Sequence, residues 1–468
     1  MQQLPRLEEK FLAISLIFGM LFIFLTPPFQ VADEDSHYKK AFLISEFILL
    51  PSVVDGNIGN YLPKELVLLE ESFRRFIGNK EEKYSYIDQY NDLNTPADFS
   101  EKVFQSYSTS QTSPLLYLGS GSAIFLSKLF VKPTSSNSDN FATYLYAGRI
   151  GNLLLYTTLI YLAIKYIPFY KRVIALLGLM PMSMTLGASN SYDAVVISVL
   201  FLIFSLIMRY IYSSDKKNIS KRDVVLLFIL SIFLIELKTV YYPILLLIFL
   251  VPKEKFVDFK RSIAICFVLG GGVFSHVIWM GVLKIVLRSA TPGSGQAQEQ
   301  ISYILHNPLD FAMVLVRTFT ELRMFYVNSF VGNFGWLDTN LPSLVVIGFL
   351  IVLILVAYSD GIHVHLPLMH KVVFVGIFLM VVLMIESSLY ITWTSHPDIG
   401  GIGHPIVSGV QGRYFIPCIP LFLVLLHRSR KSVKLLERRA ISLDFIVPLY
   451  SISVLAITLF TLLLRFWI

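Results

Sequence analysis

The chain has 468 residues, of which 55% are hydrophobic and only 15% charged, with a net charge of +7. Soluble proteins carry about a quarter charged residues, so a soluble enzyme is excluded. The excess Lys and Arg sit in short loops between apolar blocks, which argues for membrane topology and against nucleic acid. Cys266 and Cys418 both lie inside apolar blocks, so there is neither a disulfide framework nor a paired-cysteine metal site.

Met1–Lys10 followed by Phe11–Leu25 has the outline of a signal sequence. It lacks small-residue cleavage spacing and runs into Thr26-Pro27-Pro28, so it reads as an uncleaved first span. Apolar blocks of sufficient length then predict spans near 11–27, 143–163, 172–188, 193–212, 222–237, 240–252, 262–286, 342–358, 371–390, 412–427 and 443–464. The expected fold is an all-α polytopic membrane protein of about eleven helices, with 1–468 forming a single membrane domain in the plasma membrane.

A cytoplasmic N-terminus puts the basic loops Lys165–Arg172, Arg209–Arg222, Lys253–Arg261, Lys371 and Arg428–Arg439 on the inner side. The apolar segment 114–131 would reverse that pattern if it crossed the membrane. It is therefore expected to be an amphipathic or re-entrant helix within one long first extracytoplasmic loop, 28–142. Further outer loops are expected at 289–341 and 391–411.

Just after the first span comes Pro28-Phe29-Gln30-Val31-Ala32-Asp33-Glu34-Asp35-Ser36-His37. Three carboxylates and a histidine at the membrane rim suit a general base acting on a hydroxyl. Asp33 also suits the N-cap of a helix over 34–47. On the same side fall Arg149, Lys238 and Arg413, beside Tyr117, Tyr241, Tyr242 and Tyr414. A single interfacial arginine is most often a snorkelling anchor. Three cations beside glycines and tyrosines instead point to an anion pocket, because guanidinium forks match phosphate oxygens. Asp193, in Ser189-Asn190-Ser191-Tyr192-Asp193, is expected to cap the next helix or to support the site. Gly332–Asp338 reads as a turn whose Trp336 is either an anchor or a sugar platform. His396, Asp398 and His404, together with Asp33 and Glu34, could bind a divalent ion but show no recognisable ligand spacing, so no cofactor is expected and metal dependence stays open.

Taken in order, the motif around Pro28, Asp33, Glu34 and His37, then Ser113–Tyr117, Gly148–Ile150, Met180–Asp193, Lys238–Pro243, Val331–Asp338 and Gly409–Tyr414, resembles domain-of-unknown-function family 2142 along nearly the whole chain. That family is similar in turn to the GT-C membrane glycosyltransferases. The resemblance implies an inverting transferase that takes a sugar from a polyprenyl-phosphate donor and delivers it to a glycan or glycolipid acceptor on the extracytoplasmic face. It implies Asp33 as catalytic base with Glu34 as the alternate, supported by His37 and Asp193. Donor phosphate would be held by Arg149, Lys238, Tyr242, Arg413 and Tyr414, and sugar or acceptor by Tyr117, Trp336 and Asp338. Lys238 and Arg413 match the family motifs without matching a general GT-C motif. The competing classes are a transporter or flippase of lipid-linked saccharide, and a polysaccharide polymerase or ligase. Nearly ion-free span interiors, apart from such residues as Lys284 and Glu386, weigh against a transporter.

Overall fold

The computed structural model describes residues 5–130, 140–216, 218–258, 260–290, 295–361, 364–427 and 440–468. The inner-loop arginines of 428–439 and His363 lie outside the described residues.

In chain order the elements are α1 (Leu7–Leu25), α2 (Glu34–Ser45), β1 (Ser52–Val54), β2 (Asn57–Pro63), α3 (Lys64–Phe73), α4 (Tyr90–Asn94) and β3 (Lys102–Gln105). Next come α5 (Leu118–Phe130), α6 (Phe141–Tyr166), α7 (Lys171–Gly178), α8 (Pro181–Gly187), α9 (Asp193–Tyr212) and α10 (Lys221–Leu237). A 3-10 helix over Thr239–Leu250 leads to α11 (Arg261–Val286), α12 (Gln296–His306), α13 (Pro308–Glu321) and α14 (Arg323–Val331). The chain closes with β4 (Asn333–Phe334), β5 (Thr339–Asn340), α15 (Ser343–Ser359), α16 (Leu368–Leu389), α17 (Ile419–Leu423) and α18 (Ala440–Phe466). The protein is thus mainly helical. The expectation of helices alone missed two small antiparallel sheets, β1-β2-β3 in the first loop and β4-β5 before α15.

Local chemistry sets the helix ends. Glu8 and Glu9 occupy the first turn of α1, where negative charge offsets the helix dipole. Glu9 also accepts from the Arg6 amide at 2.9 Å. At its far end α1 stops before Pro27-Pro28, which disfavour a helical residue ahead of them. Asp223 accepts from both the amide and the hydroxyl of Ser220, at 2.8 and 2.7 Å, which starts α10.

Three predicted spans differ from continuous α-helices. The segment 172–188 is two short helices broken at Met180-Pro181, because proline at the start of α8 cannot extend α7. The segment 240–252 is the 3-10 helix, with Pro243 inside it. At about 2 Å rise per residue its twelve residues still reach roughly 24 Å. The segment 412–427 is a chain of short helical turns around α17.

Five helices among the described residues are long and apolar enough to cross a membrane: Phe141–Tyr166, Asp193–Tyr212, Arg261–Ser289, Leu368–Thr394 and Leu443–Phe466. Among these, α9 is buried along nearly its whole length and forms the core. By contrast, α11 turns Phe267, Phe274, Val277 and Ile285 outward. Hydrocarbon solvates such a face, whereas water would penalise it.

The helix ends meet at two faces. At one, Trp467 Nε1 donates to the Leu25 carbonyl at 2.8 Å. At the other, Arg172 bridges Asp360 and Asp444. Segment 114–131 is a turn, Pro114–Tyr117, followed by α5, which lies along α6. A side chain on Gly151 would overlap the backbone of Gly119, so the two glycines bring these helices together.

Candidate functional site

The site lies where α2 begins, and its backbone is unusual there. Asp33 adopts the left-handed region with φ 64°. For a residue other than glycine this conformation costs on the order of 1–3 kcal/mol. The turn is held by the Glu34 amide donating to Val31 O at 3.0 Å, and the His37 amide to Asp33 O at 3.1 Å. The expected side-chain cap by Asp33 is absent, because its carboxylate points elsewhere.

It points to Arg413, whose Nη2 lies 2.9 Å from Asp33 Oδ2. Arg413 Nε lies 3.4 Å from Asp193 Oδ2, and Asp193 Oδ1 lies 2.9 Å from Lys238 Nζ. Asp33, Arg413, Asp193 and Lys238 thus form one chain of alternating charge, drawn from four separate elements. The side chain of Arg413 is 4% exposed, whereas that of Asp33 is 48% exposed. The acid at the open end is therefore the one within reach of a ligand. Asp193 is the first residue of α9 and serves as the bridge between two cations, not as a cap.

Aromatic rings wall the chain. Lys238 Nζ lies 4.4 Å from the Tyr414 ring centroid and 5.1 Å from that of Tyr192, and Arg413 stands over Tyr414 at 5.5 Å. A cavity of about 230 Å³ opens beside them, lined by Lys238, Tyr192, Tyr241, Tyr414, Ile385 and Ser388. Gly412 fixes the approach of Arg413. Its amide donates to Ser329 Oγ at 2.8 Å, and any Cβ at this position would overlap the Tyr326 carbonyl on α14.

His37 is buried behind Asp33, with Nδ1 2.9 Å from the Tyr117 hydroxyl and its ring edge-on to Tyr192. Burial pushes its pKa down to about 4, although Asp33 and Asp193 oppose that shift. At neutral pH it is an uncharged hydrogen-bonding group that braces the two tyrosines.

The remaining predicted residues are placed differently. Glu34 and Arg149 are both fully buried and form a bidentate pair, Nε to Oε1 at 2.8 Å and Nη2 to Oε2 at 2.5 Å. Arg149 also donates to the carbonyls of Ile23, Thr26 and Pro27, and Glu34 accepts from the Asn190 amide at 3.0 Å. The assignment of Arg149 to phosphate and of Glu34 to catalysis is therefore corrected: together they tie α1, α2, α6 and the turn before α9 into one unit. Tyr242 turns away from the cluster and donates to Leu269 O on α11 at 2.5 Å. Tyr117 is enclosed behind His37. Asp338 is bound by Arg465 at 2.7 Å, so it is not free to hold a sugar. Trp336 is fixed by its Nε1 donating to Phe29 O at 3.0 Å. Tyr192 and Asn190 were not singled out as site residues, although both lie in the run that drew attention to Asp193. Among the described residues no group of three or more His, Cys, Asp or Glu could hold a metal ion.

An apolar groove of about 570 Å³ is walled by Phe319, Tyr326, Leu353, Phe378, Phe415 and Phe422. On α16, Phe378 and Val382 line this groove, and one and two turns further on Ile385 and Leu389 line the Lys238 cavity. At a helical repeat of 3.6 residues these four share one face, so the apolar groove and the charged cavity adjoin the same stripe.

The fold and this polar cluster define a polytopic helical membrane protein with a charged cavity at one end of its bundle. The chain belongs to domain-of-unknown-function family 2142 (DUF2142), described as a predicted membrane protein, whose model matches residues 16–422. No curated protein and no solved structure matches the chain.

Proposed function

We propose that the protein is an inverting membrane glycosyltransferase that moves a sugar from a polyprenyl-phosphate donor to a cell-envelope glycan or glycolipid. In this reading all eleven apolar segments cross the bilayer, the N-terminus is cytoplasmic, and the Asp33 cluster faces the extracytoplasmic side. The long first loop, 28–142, is taken as the counterpart of the helix-bearing first loop of the GT-C class.

The observation that carries the reading is the chain Asp33–Arg413–Asp193–Lys238, with its one half-exposed carboxylate at the open end. Asp33 accepts the proton of the acceptor hydroxyl as that oxygen attacks the anomeric carbon. The carbon–phosphate-oxygen bond breaks on the opposite face, through an oxocarbenium-like state, with inversion. At rest the two acids and two bases of the chain balance. Once Asp33 holds the proton, Arg413 and Lys238 face only Asp193, and the cluster gains one positive charge as the leaving phosphate gains a negative one. Such a match stabilises the transition state more than the ground state. The lipid phosphate fits the Lys238 cavity, and its tail fits the apolar groove on the shared stripe of α16.

The test is transfer of a labelled sugar from polyprenyl phosphate by purified protein in nanodiscs. The wild type is expected to transfer. Asp33→Asn is expected to fold and insert normally while losing transfer by about 10²–10⁴-fold, the usual weight of a general base. A well-folded, fully active Asp33→Asn protein would overturn the assignment.

A further inference from the structure

A second cavity, of about 180 Å³, lies beside the start of α2 and is walled by Phe29, Asp35, Glu70, Phe73, Arg74, Ile77 and Trp336. At about 30 Å³ per water it has the room of roughly six waters, the scale of a single sugar ring. Its floor is aromatic and buried, formed by Phe29 and Phe73. Its rim is polar. The indole of Trp336 is locked by its bond to Phe29 O, and Phe29 is itself held in the left-handed region at φ 60°. A ring fixed in this way presents a flat face at little entropic cost.

The polar groups are arranged for hydroxyls. Glu70 is buried and doubly paired, with Lys39 Nζ at 2.5 Å and with Arg74 Nη2 at 2.7 Å. Those contacts orient the exposed guanidinium of Arg74. Asp35 makes no ion pair among the described residues, and burial pushes its carboxyl above the usual carboxylate range. Asp35, Glu70 and Arg74 line the cavity and Lys39 pairs with Glu70 from outside it, so these four charges balance and its contents should be neutral. A pyranose has apolar C–H faces that pack on an indole, and hydroxyls that both donate and accept.

We propose that this cavity binds one neutral pyranose unit of a saccharide, stacked on Trp336, with its hydroxyls donating to Asp35 and accepting from Arg74. Asp35 lies two residues after Asp33, the N-cap residue of α2, so the seated ring neighbours the candidate base while facing a different side of the helix start. The binding proposal stands alone; only the ring's role as acceptor rests on the glycosyltransferase reading.

The experiment is saturation-transfer NMR on the full-length protein in nanodiscs. The probes are methyl glycosides of glucose, galactose, mannose, rhamnose and N-acetylglucosamine, with methyl glucuronide as the charged control. Saturation is expected to reach the ring protons of at least one neutral glycoside. Arg74→Gln and Asp35→Asn are expected to weaken that binding at least tenfold without shifting the unfolding midpoint. Trp336→Phe, which keeps an apolar face, should weaken it less than Trp336→Ser. Saturation of none of the neutral glycosides, stronger binding of the glucuronide, or undiminished binding by Arg74→Gln and Asp35→Asn would each overturn the proposal. Asp33→Asn should bind the glycosides as the wild type does. If that variant still transferred sugar, the base assignment would fall and the saccharide site would stand.

Discussion

Arg149 offers the clearest separation of architecture from chemistry. Replacing it with Met keeps much of the side-chain volume and removes the charge. Glu34, fully buried, then loses both guanidinium contacts and keeps only its bonds to Asn190. Removing one partner of a buried ion pair costs about 3–5 kcal/mol. The carbonyls of Ile23, Thr26 and Pro27 lose donors as well, at about 1–3 kcal/mol for each that water cannot reach. Equilibrium unfolding in mixed micelles should therefore show Arg149→Met destabilised by at least about 3 kcal/mol. The double variant Arg149→Met/Glu34→Leu leaves no uncompensated charge and should regain much of the loss, a coupling that a double-mutant cycle measures directly. A phosphate ligand would behave otherwise. Arg149→Met with wild-type stability and a raised KM for the lipid donor would refute the structural assignment.

Other outcomes follow from the same geometry. Arg413→Lys keeps a charge but cannot span Asp33 and Asp193 with one planar fork, so under the proposed transferase reading kcat should fall while the protein still folds, as read by transfer assay alongside thermal unfolding. Lys238→Met leaves Asp193 paired only with Arg413 and takes the cation from the cavity, so under the proposed transferase reading the KM for the lipid donor should rise. His37 binds its proton less readily folded, at about 4, than unfolded, at about 6.5, so the unfolded state takes up more protons between these values. Stability is then full above pH ~6.5 and lost as pH falls toward 4, by up to about 3 kcal/mol, and His37→Gln should flatten that limb of a pH-dependent unfolding curve. Gly148→Ala would push a methyl into the Asn190 side chain that steadies Glu34, so its unfolding midpoint should drop.

Much of the architecture could be read from the chain. Apolar block length located α1, α6, α9, α10, α11, α15, α16 and α18, but not the more polar α3, α4 and α12. Pro181, Pro243 and Pro420 were visible too, but hydropathy averages over them and so cannot report a broken helix. The small sheets were missed because β1 and β4 are only three and two residues long. Asp33, Asp193, Lys238 and Arg413 were all singled out. Which acid is available was not legible, because Asp33 and Glu34 differ only in what meets them from distant parts of the chain. Arg149 reaches Glu34 across 115 positions and Arg413 reaches Asp33 across 380. Lys39, Glu70 and Arg74 carry no motif in the sequence, and only the fold brings Glu70 of α3 to Lys39 of α2.

Gly412 leaves no slack between α14 and the turn that carries Arg413. Its α-carbon sits so close to the turn of α14 at Tyr326 that the two backbones can only travel together. That turn also forms a wall of the apolar groove. A chain sliding into the groove and nudging the helix would thus be felt one residue away by the guanidinium that holds Asp33, like a key pressing a tumbler.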